Sequence, residues 1–225
     1  MEKDQIPPHA PAPWALTGSG YILLFRFTRE FVRGQGLVPE AMQHSFRGGL
    51  GTVMYVDYLS SDVGPYRELL FIPGAFDFSG RTYYSITRIY VSTLKSVREG
   101  RNNWGIPKEL ASFEAAMEPG GAERVRVRAE GGTVAEFLFR SRPVSLPVTT
   151  AVVPAFLRTL AHRSGGRTLL TTPRARGSVA PAWTLEIRTD GSLFPPVERA
   201  SRIGTVRVPH FFMVFPPARI MEQER

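Results

Sequence analysis

The chain contains no cysteine, which rules out disulfides, thiol catalysis and thiolate-bound metals. Its four histidines, His9, His44, His162 and His210, are widely separated and show no metal-ligand spacing. A phosphate-binding loop is missing too: Gly48-Gly49-Leu50-Gly51 lacks the lysine and the following helix pattern, and reads as a tight strand entry. No Gly-x-Ser-x-Gly elbow occurs. Neither a metal nor a cofactor is therefore expected. Hydrophobic runs fall far short of a membrane span. The start, Met1-Glu2-Lys3-Asp4-Gln5, is polar, runs into prolines and has no signal-peptide form. The expectation is a cytoplasmic protein that is neither secreted nor membrane-bound.

What is present fits a globular chain. The 225 residues are 43% apolar, long enough to bury a core without metals or disulfides. The 21 glycines and 19 prolines are spread along the sequence as turn punctuation. A net charge of +8 raises nucleic-acid binding, but the arginines are scattered. Arg124, Arg126 and Arg128 alternate with valines, as on the wet face of a strand. Without a zinc-finger spacing, an RNA-binding signature or a basic helix, no nucleic-acid partner is expected. The charge is equally compatible with a basic surface near an anionic substrate.

Prolines at 7, 8, 11 and 13 mark residues 1–17 as an arm that Trp14 and Leu16 could anchor. Residues 18–225 contain no linker-like break and read as one β domain. Strands are predicted at Tyr21–Phe27, Gly51–Tyr58, Arg67–Ile72, Thr82–Val91, Glu123–Ala129, Thr133–Arg140, Arg167–Thr171, Ala180–Thr189 and Gly204–Phe215. Gly131-Gly132 suits a hairpin turn. Two short helices are predicted, Ser92–Gly100 with Leu94 and Val97 inward, and Val153–His162 with Pro154 near its start. The fold class is mostly β with minor α, as curled sheets or a closed β barrel with a few short helices. The apolar stretch His210–Pro217 reads as a core strand, a cavity wall or a subunit contact.

Residues 99–113, Glu-Gly-Arg-Asn-Asn-Trp-Gly-Ile-Pro-Lys-Glu-Leu-Ala-Ser-Phe, are the informative segment. A Gly-Arg pair leads to an aromatic residue and then to Pro-Lys, upstream of which lies Gly64-Pro65-Tyr66-Arg67-Glu68. This arrangement resembles the acetoacetate decarboxylase family, in which the lysine after the proline forms a Schiff base. The resemblance implies that Lys108 is that lysine and that Glu68 occupies the position of an active-site glutamate. Tyr66 as a hydrogen-bond donor, Arg88 as a nearby cation and Trp104 as a pocket wall complete the candidate set. Outside this context, Lys108 would read as a surface lysine after a turn, and Glu68 as a partner for Arg67 or Arg88.

The chemistry is specific. A free lysine amine titrates near 10.4 and must lose its proton to attack a ketone. Burial or a neighbouring cation favours that loss; for the second device acetoacetate decarboxylase itself is the standard example. In the family a second lysine follows the first, whereas Glu109 stands here. If the segment is extended, Glu109 points to the opposite face from Lys108, and Arg88 or Arg101 could supply the cation. The family also carries an arginine before the first core strand and a glutamate in the second. The corresponding positions lie near Ser19 and Val53, which implies altered carboxylate recognition. The leading expectation is a Schiff-base-forming lyase that decarboxylates a small β-keto acid. An aldolase-dehydratase using the same lysine and a non-catalytic binding protein for a small apolar or keto compound are the alternatives. Family resemblance further implies a closed homo-oligomer of open copy number.

Overall fold

The computed structural model describes residues 9–221. The first eight residues of the expected arm lie outside that range. From Trp14 onward the chain is already strand, because Trp14 and Leu16 alternate with exposed or half-buried neighbours and bury their side chains.

The first half of the chain supplies β1 (Trp14–Arg26), β2 (Phe46–Gly48), β3 (Gly51–Ser60), β4 (Tyr66–Ile72), β5 (Ala75–Phe78), β6 (Arg81–Tyr84) and β7 (Arg88–Val91). After these come β8 (Lys108–Leu110), β9 (Ser112–Met117), β10 (Glu123–Ala129), β11 (Gly132–Ser141) and β12 (Leu146–Thr149). The last strands are β13 (Leu160–Ser164), β14 (Arg167–Thr171), β15 (Arg174–Thr189), β16 (Ser201–Phe215) and β17 (Arg219–Ile220). Helices are few: α1 (Arg29–Gly34), α2 (Glu40–Gln43), α3 (Leu94–Trp104) and α4 (Ala155–Arg158). The fold is mostly β, as the sequence predicts.

The larger sheet runs in the order β8-β7-β4-β3-β1-β16-β15-β11-β10-β9, with β12 added beside β15, and curls into a nearly closed barrel. Its two end strands, β8 and β9, are consecutive in the chain, separated by Ala111 alone. No ladder joins them among the described residues. Arg67 of β4 reaches across this seam, its Nη1 donating to the Phe113 carbonyl at 3.2 Å. The second sheet has the order β17-β14-β13-β6-β5-β2.

Strand alternation divides the large sheet into two apolar faces. Tyr21, Leu23 and Phe25 of β1, Val53 and Tyr55 of β3, and Leu69 and Phe71 of β4 enter one core with Val125, Val127, Phe137 and Phe139. The intervening residues Leu16, Tyr58, Tyr66, Leu70 and Ile72 belong to a second cluster with Trp14, Ile89, Trp104 and Ile106. Every functional side chain discussed below follows from which of these faces it is on.

Three predicted elements differ from the structure. The run Thr82–Val91 is two strands, β6 in the small sheet and β7 in the large one; its uniformly β-favouring composition hides the crossing at Ser85-Ile86-Thr87. The predicted helix Val153–His162 shrinks to the single turn α4, because Leu160–Ser164 pairs with β14 across Gly165-Gly166, both at positive φ. The predicted helix Ser92–Gly100 forms with Thr93 as its cap, whose hydroxyl accepts from the Ser96 amide, but it runs past Gly100 to Trp104 and ends at left-handed Gly105. Leu94 is 70% exposed, and the buried face carries Ser96, Glu99, Gly100 and Trp104.

His162 ties β13 of the small sheet to the crossing segment between the two sheets. Its Nε2 accepts the Ile86 amide proton at 3.2 Å, while Nδ1 has no partner among the described residues. Burial lowers its pKa to about 4. The ring is neutral when folded, whereas an unfolded imidazole titrates near 6.5. Its contribution to stability is therefore complete above pH about 6.5 and is lost as pH falls toward 4. The shift corresponds to about 3 kcal/mol. His162→Gln retains an acceptor for Ile86 but removes the titration. Urea unfolding at pH 7 and 4.5 should show a clearly smaller loss of stability in the variant; equal losses would refute the assignment.

Candidate active site

The site begins with β4. Its alternation places Tyr66, Glu68, Leu70 and Ile72 on one face and Leu69 and Phe71 on the other. Parallel pairing of β7 with β8 sets Lys108 opposite Ile89, a residue of the Glu68 face. Lys108 and Glu68, though 40 residues apart, thus meet with Nζ 2.9 Å from Oε2, both nearly fully buried. Nζ also donates to Ser96 Oγ at 3.1 Å and to Tyr66 Oη at 3.4 Å. An ammonium has three protons to place, and here it has three acceptors. Tyr58 donates to the other Glu68 oxygen at 3.1 Å. Burial first, and then the Glu68 carboxylate, pushes the Tyr58 and Tyr66 phenols well above the ordinary tyrosine range, so both remain neutral donors.

Helix α3 forms the seat of the lysine. Ser96, Gly100 and Trp104 recur every four residues, so they share one face. A Cβ on Gly100 would lie 2.6 Å from Lys108 Cδ; the glycine leaves the space that the stem occupies. The next residue, Arg101, donates from Nε to the Lys108 carbonyl at 2.9 Å. It fixes the backbone and does not approach the amine through this bond. Trp104 packs edge-on against Trp14 at 4.8 Å and against Phe215 at 4.7 Å. Ala10 links the N-terminal segment to the helix: its amide donates to the buried Glu99 at 3.3 Å, and its carbonyl accepts from Asn103 and from Trp14 Nε1, both at 2.9 Å. Burial works to raise the Glu99 pKa, but hydrogen bonds from Arg98, Ala10 and His9 outweigh it, and the net shift is downward.

Above the lysine opens a cavity of about 840 Å³. Its walls come from β1, β3, β4, β15 and β16, with Phe211, Met213 and Phe215 supplied by the apolar terminal stretch. Lys108, Glu68, Tyr66, Tyr58 and Trp104 all line it. Ser19 and Val53 do not; the adjacent lining positions are Gly20, Thr52 and Met54, none of them charged. No group of three or more potential metal ligands occurs among the described residues.

The sequence matches the acetoacetate decarboxylase family over residues 2–190. The chain belongs to this family. No curated protein matches it significantly by sequence. In fold it is similar to an acetoacetate decarboxylase with a TM-score of 0.69 at 14% identity, covering 98% of this chain and 95% of that one. It is similar to the acetoacetate decarboxylase of Legionella pneumophila subsp. pneumophila str. Philadelphia 1 at 0.65 and 12%, over 94% and 88% of the two chains. A third similar structure is the enduracididine biosynthesis enzyme MppR complexed with pyruvate, at 0.62 and 15%, over 95% and 91%.

Within this family chain, four of the five candidate residues come together: Lys108, Glu68, Tyr66 and Trp104. Arg88 does not join them. It pairs with Phe71 on the opposite face of the sheet, and its Nη1 bonds Glu109 at 3.1 Å. Glu109 thereby points away from the amine, as an extended segment requires. The two arginines considered as the activating cation are engaged elsewhere, Arg88 with Glu109 and Arg101 with the Lys108 carbonyl. Sequence reasoning missed Ser96, Tyr58, Trp14 and Gly100. The spacing Ser96-x-x-x-Gly100-x-x-x-Trp104 carried the signal for the helix members.

Lys108→Met would leave the Glu68 carboxylate buried without its cation. Breaking a buried pair from one side costs about 3–5 kcal/mol, and Lys108→Met/Glu68→Gln should regain most of it. Urea denaturation at neutral pH measures both; a loss in the single variant no larger than that of an exposed pair, about 0–1 kcal/mol, would contradict a dry ion pair.

Proposed function

We propose that the protein is a lysine-dependent lyase that forms a Schiff base with a β-keto acid and releases carbon dioxide. The observation that carries this reading is the buried amine of Lys108, 2.9 Å from a buried carboxylate at the polar end of an apolar cavity. Glu68 is the nearest acceptor able to take the ammonium proton. The neutral amine then attacks the ketone carbon, forming a carbinolamine. Return of a proton to the departing hydroxyl, from Glu68 or by way of the Tyr66 phenol, expels water and leaves a protonated imine. The bond to the carboxylate breaks, carbon dioxide departs, and its electron pair passes to the imine nitrogen as an enamine. Protonation of the enamine carbon and hydrolysis release the ketone and restore the amine. Decarboxylation disperses the charge of the carboxylate, so an apolar wall favours the transition state over the bound acid.

Activation in this scheme depends on burial and proton transfer to Glu68 in place of a second lysine. The same imine would also support aldol chemistry. A related fold has been solved with the condensation product of pyruvate and imidazole 4-carboxaldehyde, and product analysis separates the two outcomes.

Incubation with acetoacetate and longer β-keto acids, followed by borohydride and peptide mass spectrometry, should fix ligand mass on Lys108 and none in Lys108→Ala. No adduct across the panel would refute imine chemistry. Glu68→Gln should lower turnover by at least tenfold, and undiminished activity would remove Glu68 from the proton path.

Gly100→Ala tests the seat independently. Alanine favours the helix by about 1 kcal/mol, and the clash falls on a movable lysine stem. Trapping should slow by at least tenfold, with a fall in melting temperature smaller than that of Lys108→Met, because the displaced amine keeps its charge beside Glu68. Unchanged trapping would show that the stem does not need the vacant space.

A further inference from the structure

The cavity is much larger than a four-carbon keto acid needs. At about 840 Å³ it lies toward the upper end of the range of about 300–1,000 Å³ that encloses drug-sized ligands. Its largest connected polar cluster surrounds Lys108. Lys108, Glu68, Tyr58 and Tyr66 contact one another there, while the wall beyond is built from side chains such as Leu16, Met54, Ile72, Leu160, Phe211 and Met213.

The other charged lining residues are Arg158 and Arg176. Arg158 donates to the carbonyls of Val153 and Pro173, at 3.2 and 2.7 Å. The guanidinium of Arg176 stacks over the Phe212 ring at 5.4 Å. Both have structural partners within the protein, backbone carbonyls for Arg158 and a ring for Arg176. Among the cavity-facing residues next to Ser19 and Val53, Gly20, Thr52 and Met54 offer no ionic contact.

We propose that the substrate is a β-keto acid, or related ketone, bearing a long or bulky apolar tail, with the carbonyl at Lys108 and the tail along the apolar wall. This assignment rests on the imine reading for its chemistry but on the cavity wall for its size. Burial of each methylene favours binding by about 0.8 kcal/mol, which is roughly a fourfold gain in affinity.

The methyl ketones acetone, 2-pentanone, 2-heptanone and 2-nonanone suit the test, because they are the product class of such a decarboxylation and cannot lose carbon dioxide themselves. Binding is measured by calorimetry, with the fluorescence of the cavity residues Trp14 and Trp104 as a second signal. Borohydride trapping is run in parallel on the wild type and Lys108→Met. The expected result is a rise of about fourfold per methylene through 2-nonanone in both proteins, with an adduct on Lys108 in the wild type alone. The same rise with no adduct would uphold the apolar substrate and refute imine formation. An adduct with acetone, without tighter binding of the longer ketones to the wild type, would overturn the apolar tail and leave imine formation standing. Because the wild-type series decides the matter by itself, poor folding of Lys108→Met would not obscure it.

Discussion

An ammonium and a carboxylate removed from water must satisfy each other and every remaining proton and lone pair, or the fold loses more than it gains. That requirement at Lys108 and Glu68 organises this protein. Three acceptors surround Nζ, two from one strand and one from a helix, and a tyrosine of the next strand holds the far oxygen of Glu68. Helix α3 therefore turns a serine and a glycine inward where an apolar stripe would be the usual choice. Its exposed Leu94 is the counterpart of that inversion.

The sequence segment from Gly100 to Lys108 acquires a physical meaning in this arrangement. Glycine makes room for the stem, arginine holds the carbonyl of the lysine, and tryptophan walls the cavity. The motif is thus a description of how one amine is seated. Arg88 and Glu109 neutralise each other on the opposite face, so the replacement of the family's second lysine by glutamate does not place a second carboxylate beside Nζ.

Much of this was legible in the sequence. Period-two patterning located most strands, and the Pro-Lys segment with its upstream glutamate located the centre of the site. What escaped were facts of register. Nothing local shows that Thr82–Val91 crosses between sheets, or that Arg88 pairs with Phe71 and so faces away from Lys108. Trp14 reads in the sequence as an anchor for the N-terminal arm, but nothing local shows that its ring packs on Trp104 and lines the cavity. Val97 packs against the second cluster as expected, but Leu94 misled, because hydrophobicity is a poor guide to a helix face that is packed around a charge.

The seam of the barrel bears on how the protein can move. At every other boundary along the large sheet, neighbouring strands share a backbone ladder that would have to break for the sheet to part. Between β8 and β9 the edges are held by a one-residue link and by the reach of Arg67 to Phe113. Parting there costs a few side-chain contacts, so this is the line of least mechanical resistance. The first residue of β8 is Lys108. An unrolling of the barrel along this line would act on that short edge strand directly, which couples the reach of the amine into the cavity to barrel curvature.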